Sequence, residues 1–502
     1  MNKINIHEIL LISLVSLLST SCESFLDRKA QGVLTNEEFF KTEADAFSSV
    51  VGAASAFKDY RYTRSIWAFG DITSDDATAS GSDNDVASAR RWENLQFHAD
   101  YARTSDRWKL CFQAVNRASQ AIDGITKMDA SLFSLYKKNY LLGEAYFIKS
   151  YFYFELVRTY GDLPLITSTP TIDDKFKQRE PKAEVYKIIE DNLKQAASLL
   201  PDKSQLSSKD LGKPCSQAAN AFLAKVYLYQ NKYAEAKDVI EKNILPLVPA
   251  VYDLMPDFES IFLMKNEHCK ESIFEINFRH KSDDWGLTTT GNYYAYSQGP
   301  RPFMGYGGNQ PLQTLADAFE AGDTRKQGTL LSTQMIKEWE SEANFKSLEF
   351  NRTGYYNLKV YIRPWERIGT EDIFTMPNNI RIMRLSEVYL IFAEACNKLG
   401  NDDLAREYMN KVRRRAGLKD KEALSGDALF RAIQQENRVE FAMEGHRYFD
   451  LVRTGLAAEA FNAPAFRALK PNTVFRPGYN ELFPIPQAEI DNSQGIIKQN
   501  PL

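Results

Sequence analysis

Two stretches of this chain repeat one plan, and that repetition constrains its fold more than any other feature. Residues 216–243, SQAANAFLAKVYLYQNKYAEAKDVIEKN, read as a helix, a polar turn at Gln230–Lys232 and a second helix. Residues 385–415, LSEVYLIFAEACNKLGNDDLAREYMNKVRRR, follow the same plan with the turn at Gly400–Asp402. Ala224, Tyr227 and Ala236 are spaced three and nine apart, and so are Ala393, Cys396 and Ala405. Small residues at such positions let two antiparallel helices approach closely, while the ring or thiol fills the groove between them. This is the physics of a tetratricopeptide-type pair, which buries its open face only against stacked neighbours. Generic helical hairpins are the blander alternative. The two pairs are about 140 residues apart, so the chain between them must form a large insertion packed on the stack.

Other helices follow from caps and stops. Thr35–Glu38 fits a capping box, and Thr42–Asp45 offers a second start for apolar sequence running to Phe57. Helical stretches are expected over Trp108–Ile125 and Leu132–Tyr160, the latter stopped by Gly161 and Pro164. Another begins after Pro181 and ends near Pro201. The insertion differs: Ile273–Arg279 and Tyr355–Arg363 alternate apolar and polar residues as short, half-buried strands do, with a helix near Leu312–Phe319.

Between those strands lies WGLTTTGNYYAYSQGPRPFMGYGG, residues 285–308, with six aromatics, six glycines and two prolines. Such a stretch is expected as loop rather than core helix or central strand. Exposed rings stack on the C–H faces of sugars while amides take the hydroxyls, and each aromatic contact adds roughly 0.5–1.5 kcal/mol beyond area burial. Trp285, Tyr293, Tyr294, Tyr296 and Tyr306 are the candidate rings, with Phe303 beside them. Asn292 is the candidate polar partner, with Gln298 and Asn309 near it. Folding of these rings inward as a small core is the competing expectation.

The N-terminus points to export. Lys3 precedes the apolar run Ile9–Leu18, which is too short to span a bilayer but right for a signal-peptide core. The run closes on Ser19-Thr20-Ser21-Cys22 and resembles a bacterial lipobox, with Ser19 standing where leucine is usual. Residues 1–21 are thus expected to be removed and Cys22 to carry the lipid, leaving 481 residues (502 − 21). Several acyl chains give stable anchoring where one does not. With 62 basic against 66 acidic residues, no basic surface argues for nucleic acid. Cys111, Cys215, Cys269 and Cys396 form no C-x-x-C pair and are expected as buried free thiols, with one disulfide the alternative in an exported protein.

Several motifs together resemble the SusD/RagB family of outer-membrane nutrient-binding lipoproteins, over essentially the whole mature chain. They are Cys22–Asp27, Tyr151–Pro164, Arg384–Leu390 leading into Ala393-Glu394-Ala395, Pro484-Ile485-Pro486 and Gln499-Asn500-Pro501. The most specific is Glu436–Arg453, ENRVEFAMEGHRYFDLVR, which departs from the family's pattern at Asn437. The resemblance implies a mostly α fold: tetratricopeptide-like pairs at about 35–245 and 380–455, an irregular ligand-binding lobe with short β-hairpins at about 246–379, and an irregular tail at 456–502. It implies a surface-exposed lipoprotein of the outer membrane that binds oligosaccharide, or in some members peptide, and delivers it to a SusC-like TonB-dependent transporter. Ligand sites in such proteins use the central insertion and a loop before the first long helices. Here that loop is Asp71–Trp92, which adds Trp92, with Asn84 and Arg91 behind it.

Glu440 and Glu444 invite a glycosidase reading, because paired carboxylates can supply acid and nucleophile. They lie four apart, on what reads as one helical face with Arg447, and among Arg438, Asp450 and Arg453. A structural ion-pair network with a satisfied His446 is the expected arrangement, and no enzyme activity is expected. The acidic run Gly70–Asp85 could hold calcium or attract cationic peptides, but it lacks the register of a calcium loop and is expected as a solvated loop. No cofactor is otherwise implied.

Overall fold

A computed structural model describes residues 39–134, 137–169, 171, 177–279, 291–301, 305–341, 350–367 and 376–501. The expected cap at Thr35 and the lipid-bearing Cys22 fall outside those residues. Thr42 begins α1 (Glu43–Ala54): its hydroxyl accepts from the Asp45 N–H, and the Asp45 carboxylate accepts from the Thr42 N–H at 2.7 Å. The helix gives way to a 3₁₀ turn at Ser55–Lys58 before α2 (Tyr60–Gly70). Then come α3 (Ala102–Lys127), α4 (Lys137–Tyr160) and α5 (Lys182–Leu199). α4 packs on α3 and α5 at once, which is why its sequence is apolar nearly all round and buries Tyr151 to Val157 without a break. Gly161, at φ +74, ends it in a conformation that other residues rarely adopt.

The repeated pairs are α6 (Ser216–Tyr229) with α7 (Tyr233–Asn243) and, beyond the short lobe helix α8 (Tyr293–Gln298), α9 (Leu385–Lys398) with α10 (Asp402–Arg415). Ala224, Tyr227, Ala236, Ala393, Cys396 and Ala405 are all buried. α7 packs against α9, so two pairs far apart in sequence are neighbours in one stack, and α11 (Gly426–Glu440) continues it against α9 and α10. Lys225 of α6 meets Glu387 of α9 at 2.6 Å across the join. Thr42–Leu502 form one compact unit. No helix among the described residues is long and apolar enough to cross a membrane.

Strands are few and short. β1 (Ala77–Ala79) pairs with β3 (Asn309–Pro311), β2 (Ser272–Ile276) with β6 (Ile380–Arg384), and β4 (Leu330–Ser332) with β5 (Tyr355–Asn357), all antiparallel. Two expectations change. β2 is buried at every position rather than on one face, because Phe274 reaches into the scaffold against Phe57, Phe147 and Phe222. The 355–363 stretch is strand only to Asn357 and then turns as 3₁₀ helix at Leu358–Val360, started by the Asn357 side chain accepting from the Lys359 N–H at 3.1 Å. Cys111, Cys215 and Cys396 are buried free thiols, while Cys269 is half-buried.

Candidate functional site

The β1–β3 pair joins the two regions that sequence analysis marks for ligand: Ala77 lies opposite Pro311 and Ala79 opposite Asn309. The segment expected as loop contains α8, because Tyr293–Gln298 (YYAYSQ) is free of glycine and proline and Asn292 caps it. The Asn292 Oδ1 accepts from the Ala295 N–H at 3.0 Å, and its Nδ2 donates to the Asn378 carbonyl. One face of α8 is fixed inward. Tyr294 donates its hydroxyl to the Met443 carbonyl at 3.0 Å. Ser297 accepts from the Trp67 indole N–H at 2.9 Å, and Gln298 accepts from the Asn309 and Asn357 amides.

Four candidates are therefore interior, among them Tyr296, 4% exposed beneath its neighbours. Asn292 is 1% exposed and Tyr294 4%, each spending its polar atoms on the fold. Trp92, 2% exposed, packs among Phe69, Phe97, Tyr101 and Phe483. The apolar period of its own helix, Asp83–Glu93, turns Val86, Ala89 and Trp92 inward, whereas Asn84 and Arg91 are exposed. Trp285 and Phe303 lie outside the described residues.

What remains is a row of phenols. Tyr60 and Tyr293 meet at 5.6 Å between ring centroids, Tyr293 and Tyr296 at 5.9 Å, and Tyr296 and Tyr306 at 4.8 Å, all edge to face. Tyr60 and Tyr293 are half-buried, Tyr296 is buried beneath the row, and Tyr306 is 39% exposed at its end. Tyr60 comes from the start of α2 and was not among the expected candidates; only its spacing in three dimensions reveals it. Burial raises the pKa of the Tyr293 hydroxyl, against the opposing effect of Arg64, and burial with a hydrogen bond to Tyr306 raises that of Tyr296. Tyr293 and Tyr296 thus stay protonated near neutral pH, as hydroxyl donors and acceptors. Arg301 lies over both the Tyr306 ring, at 5.9 Å, and the Phe350 ring, at 5.0 Å. Ser80 Oγ and Gln310 Nε2 both donate to the Phe350 carbonyl, tying this end of the row to the strand pair. On the side of the first strand, at Thr78 and Ala79, lies a cleft of about 490 Å³ lined also by Arg90, Asn94, Arg352 and Thr353, which no ring of the row enters.

The carboxylates of the signature sit elsewhere. α11 ends at Glu440, and Met443 and Gly445 take φ values of +64 and +81, so Glu444 lies in a turn before α12 (Arg447–Arg453) rather than on one helical face with Glu440. Both carboxylates converge on Arg384 all the same, Glu440 and Glu444 each at 2.8 Å. Glu440 also meets Arg325 and Arg415, and Glu444 meets Lys359 at 2.7 Å. Burial alone would raise the Glu440 pKa; the guanidinium groups of Arg415, Arg384 and Arg325 outweigh it and hold the carboxyl well below the ordinary 4.5. Glu440 is 0% exposed with both oxygens engaged, so the pair faces no cleft in which a glycosidic bond could lie. His446 stacks on Phe441 and is held neutral by burial and by the nearby cations of Lys225, Arg158 and Arg384.

The acidic run is not a solvated loop. Asp71, Asp75 and Asp76 are buried. Asp75 accepts from Arg447 at 2.8 Å and Asp76 from Arg438 at 2.6 Å, while Asp71 caps the Gly445 N–H at 2.9 Å and takes the Asn309 amide. Among the described residues, no group of three or more His, Cys, Asp or Glu could hold a metal ion.

Two family models match the chain. One, described as the SusD family, covers residues 332–502, and the other, described as starch-binding associating with the outer membrane, covers residues 24–228. The chain belongs to the SusD/RagB family. SusD-like protein P2 of Formosa agariphila is 27% identical to it, over 97% of this chain and 98% of its own. A solved structure of a laminarin-binding SusD-like protein is 28% identical with a TM-score of 0.78, covering 92% of this chain and 99% of that one. Surface glycan-binding protein A from Bacteroides fluxus superposes with a TM-score of 0.77 at 25% identity, over 92% and 99%. In this SusD/RagB chain the first matched region holds the Arg384–Glu440–Glu444 network, and the second holds α1 to α5 and β1.

Proposed function

We propose that the protein is a lipoprotein of the outer-membrane surface, anchored through Cys22, that binds oligosaccharide without altering it and passes it to a SusC-like TonB-dependent transporter. The observation that carries the binding role is the phenol row ending in exposed Tyr306, with the Arg301 guanidinium over its ring. Half-buried rings fixed edge to face lose little freedom on stacking against a sugar, and their phenol hydroxyls can donate to and accept from its hydroxyls. Tyr293 and Tyr306, with Tyr60 beside them and Tyr296 packed beneath, are the ligand-facing set, and Trp285 is assigned to the same site from its place in the sequence. The laminarin-binding relative supports a neutral glycan as ligand. The peptide alternative loses its basis, since Asp71, Asp75 and Asp76 are engaged inside the protein.

Calorimetric titration with laminarin and a panel of other glycans tests this. The Trp285→Ala/Tyr306→Ala variant should bind about 5- to 100-fold more weakly, at roughly 0.5–1.5 kcal/mol per ring, with thermal unfolding unchanged. Equal affinity in the two proteins removes this site. Binding of peptides alone overturns the glycan reading.

A further inference from the structure

A second groove lies where α3 passes Pro164, Ile166 and Thr171 and α13 (Gln487–Asn492). Its volume, about 610 Å³, suits a small ligand. Trp108, Phe112, Ile166 and Ile497 give it an apolar floor. Gln113, Asn116 and Gln120 stand three and four apart along α3, on one face of the helix, and Asn492 of α13 also lines the groove.

These four amides share a property that the rest of the surface chemistry does not explain. None of them makes a side-chain hydrogen bond among the described residues, and the Asn116 Oδ1 is shielded from solvent with no partner at all. A shielded carbonyl oxygen without a donor is costly unless something else supplies one. The groove's acid is already opposed: Lys109 faces Glu489, to which the Trp108 indole also donates, while Arg117 donates to two neutral acceptors, the Gly52 carbonyl at 3.0 Å and the Ser55 hydroxyl at 3.3 Å. A cationic ligand therefore finds no free counter-charge, and the one guanidinium that lines the groove is held by hydrogen bonds to the helix beside it. Planar amides that both donate and accept, set over aromatic and aliphatic carbon, fit a neutral polyhydroxyl ring: its C–H face on the floor and its hydroxyls on the amides.

We propose that this groove is a second saccharide-binding site, separate from the phenol row. The inference rests on the glycan-binding reading above but on none of its residues. The test titrates short laminarin oligosaccharides into the full-length protein, the Gln113→Ala/Asn116→Ala/Gln120→Ala variant and the Trp285→Ala/Tyr306→Ala variant, with thermal unfolding recorded for each. The expected result is two equivalents bound by the unaltered protein. The amide variant should lose one of them, at least tenfold weaker, and keep the affinity of the other. The ring variant should keep the equivalent that the amide variant loses. A single equivalent in the unaltered protein, or no change on removing the amides, overturns the groove and leaves the phenol row standing. No binding of any saccharide by the unaltered protein overturns both.

Discussion

Replacing Glu440 by glutamine isolates what the signature does. Its Oε1 accepts from Arg384 at 2.8 Å and Arg415 at 2.5 Å, and its Oε2 from Arg325 at 3.2 Å, with the side chain fully buried. Glutamine keeps one acceptor and turns an N–H₂ toward a guanidinium, so at least one charge-assisted bond is lost and three buried arginines share one fewer negative charge. Arg384 retains Glu271 and Glu444, Arg415 retains Glu271, and Arg325 retains Asp323 and Glu436, which keeps the loss within the usual range for breaking a buried pair, about 3–5 kcal/mol. Unfolding entropy near 2.1 cal/mol/K per residue over roughly 460 residues is about 1 kcal/mol/K, so the midpoint should fall by about 3–5 °C at neutral pH. The pH dependence has a fixed sign. The folded carboxyl stays ionised well below 4.5, so the unfolded chain takes up the proton first, and the contribution is complete above about pH 5 and fades as pH falls below the ordinary value. The gap between the two proteins in differential scanning calorimetry should therefore narrow in acid. Glycan affinity should not change at 25 °C. A midpoint shift under about 1 °C, or a gap that widens in acid, refutes the reasoning. Loss of a measured saccharide-cleaving activity would instead revive the catalytic reading of the pair.

Glycine positions make an opposed pair of predictions. A Cβ on Gly70 would sit 2.0 Å from the Gly445 carbonyl oxygen, backbone against backbone, so Gly70→Ala should yield little folded protein by size-exclusion chromatography. Gly52→Ala, with open space around it inside α1, should raise the unfolding midpoint, by about 0.5–1 kcal/mol of stability. Burial pushes the Asp71 carboxyl from 3.8 up to about 7, against the bonds it accepts from Asn309 and Gly445. The folded state thus holds a proton that the unfolded chain releases, and this residue costs stability progressively as pH rises from about 4 to 7. Asp71→Asn should gain in midpoint relative to the unaltered protein over that window, and a relative loss would contradict it.

The helical scaffold was legible because its signals are local: a capping box at Thr42, Gly161 and Pro164 after α4, and small residues at Ala224 and Ala393 that mark close helix contacts. Even the join of the two pairs followed from their need for neighbours. The candidate site was legible only as a region rich in aromatic residues. Aromatic density identified residues 285–308, but a ring's exposure depends on which side of a short helix faces the core. Asn292 and Tyr294 turned inward while Tyr293 did not, and no periodicity in a six-residue helix decides that. The acidic run misled for a related reason: Asp75 and Asp76 look solvated until Arg438 and Arg447, more than 360 residues later, are brought onto them.

That long-range pairing explains how a lobe with so little regular structure keeps its shape. Arg325 and Lys359 come from the lobe, Arg384 from the strand that enters α9, and Arg415 from the end of α10, and all four meet Glu440 or Glu444. Asp71, Asp75 and Asp76 bind the other side of the same turn through Gly445, Arg447 and Arg438. Such a network contributes less to net stability than an apolar core of equal volume, but it tolerates only one arrangement of its members. The lobe is thereby locked to the scaffold at a point that carries none of the proposed ligand-facing residues. The phenol row can then be altered ring by ring without disturbing that lock, and an effect of such changes on glycan affinity, with the unfolding midpoint constant, measures recognition alone.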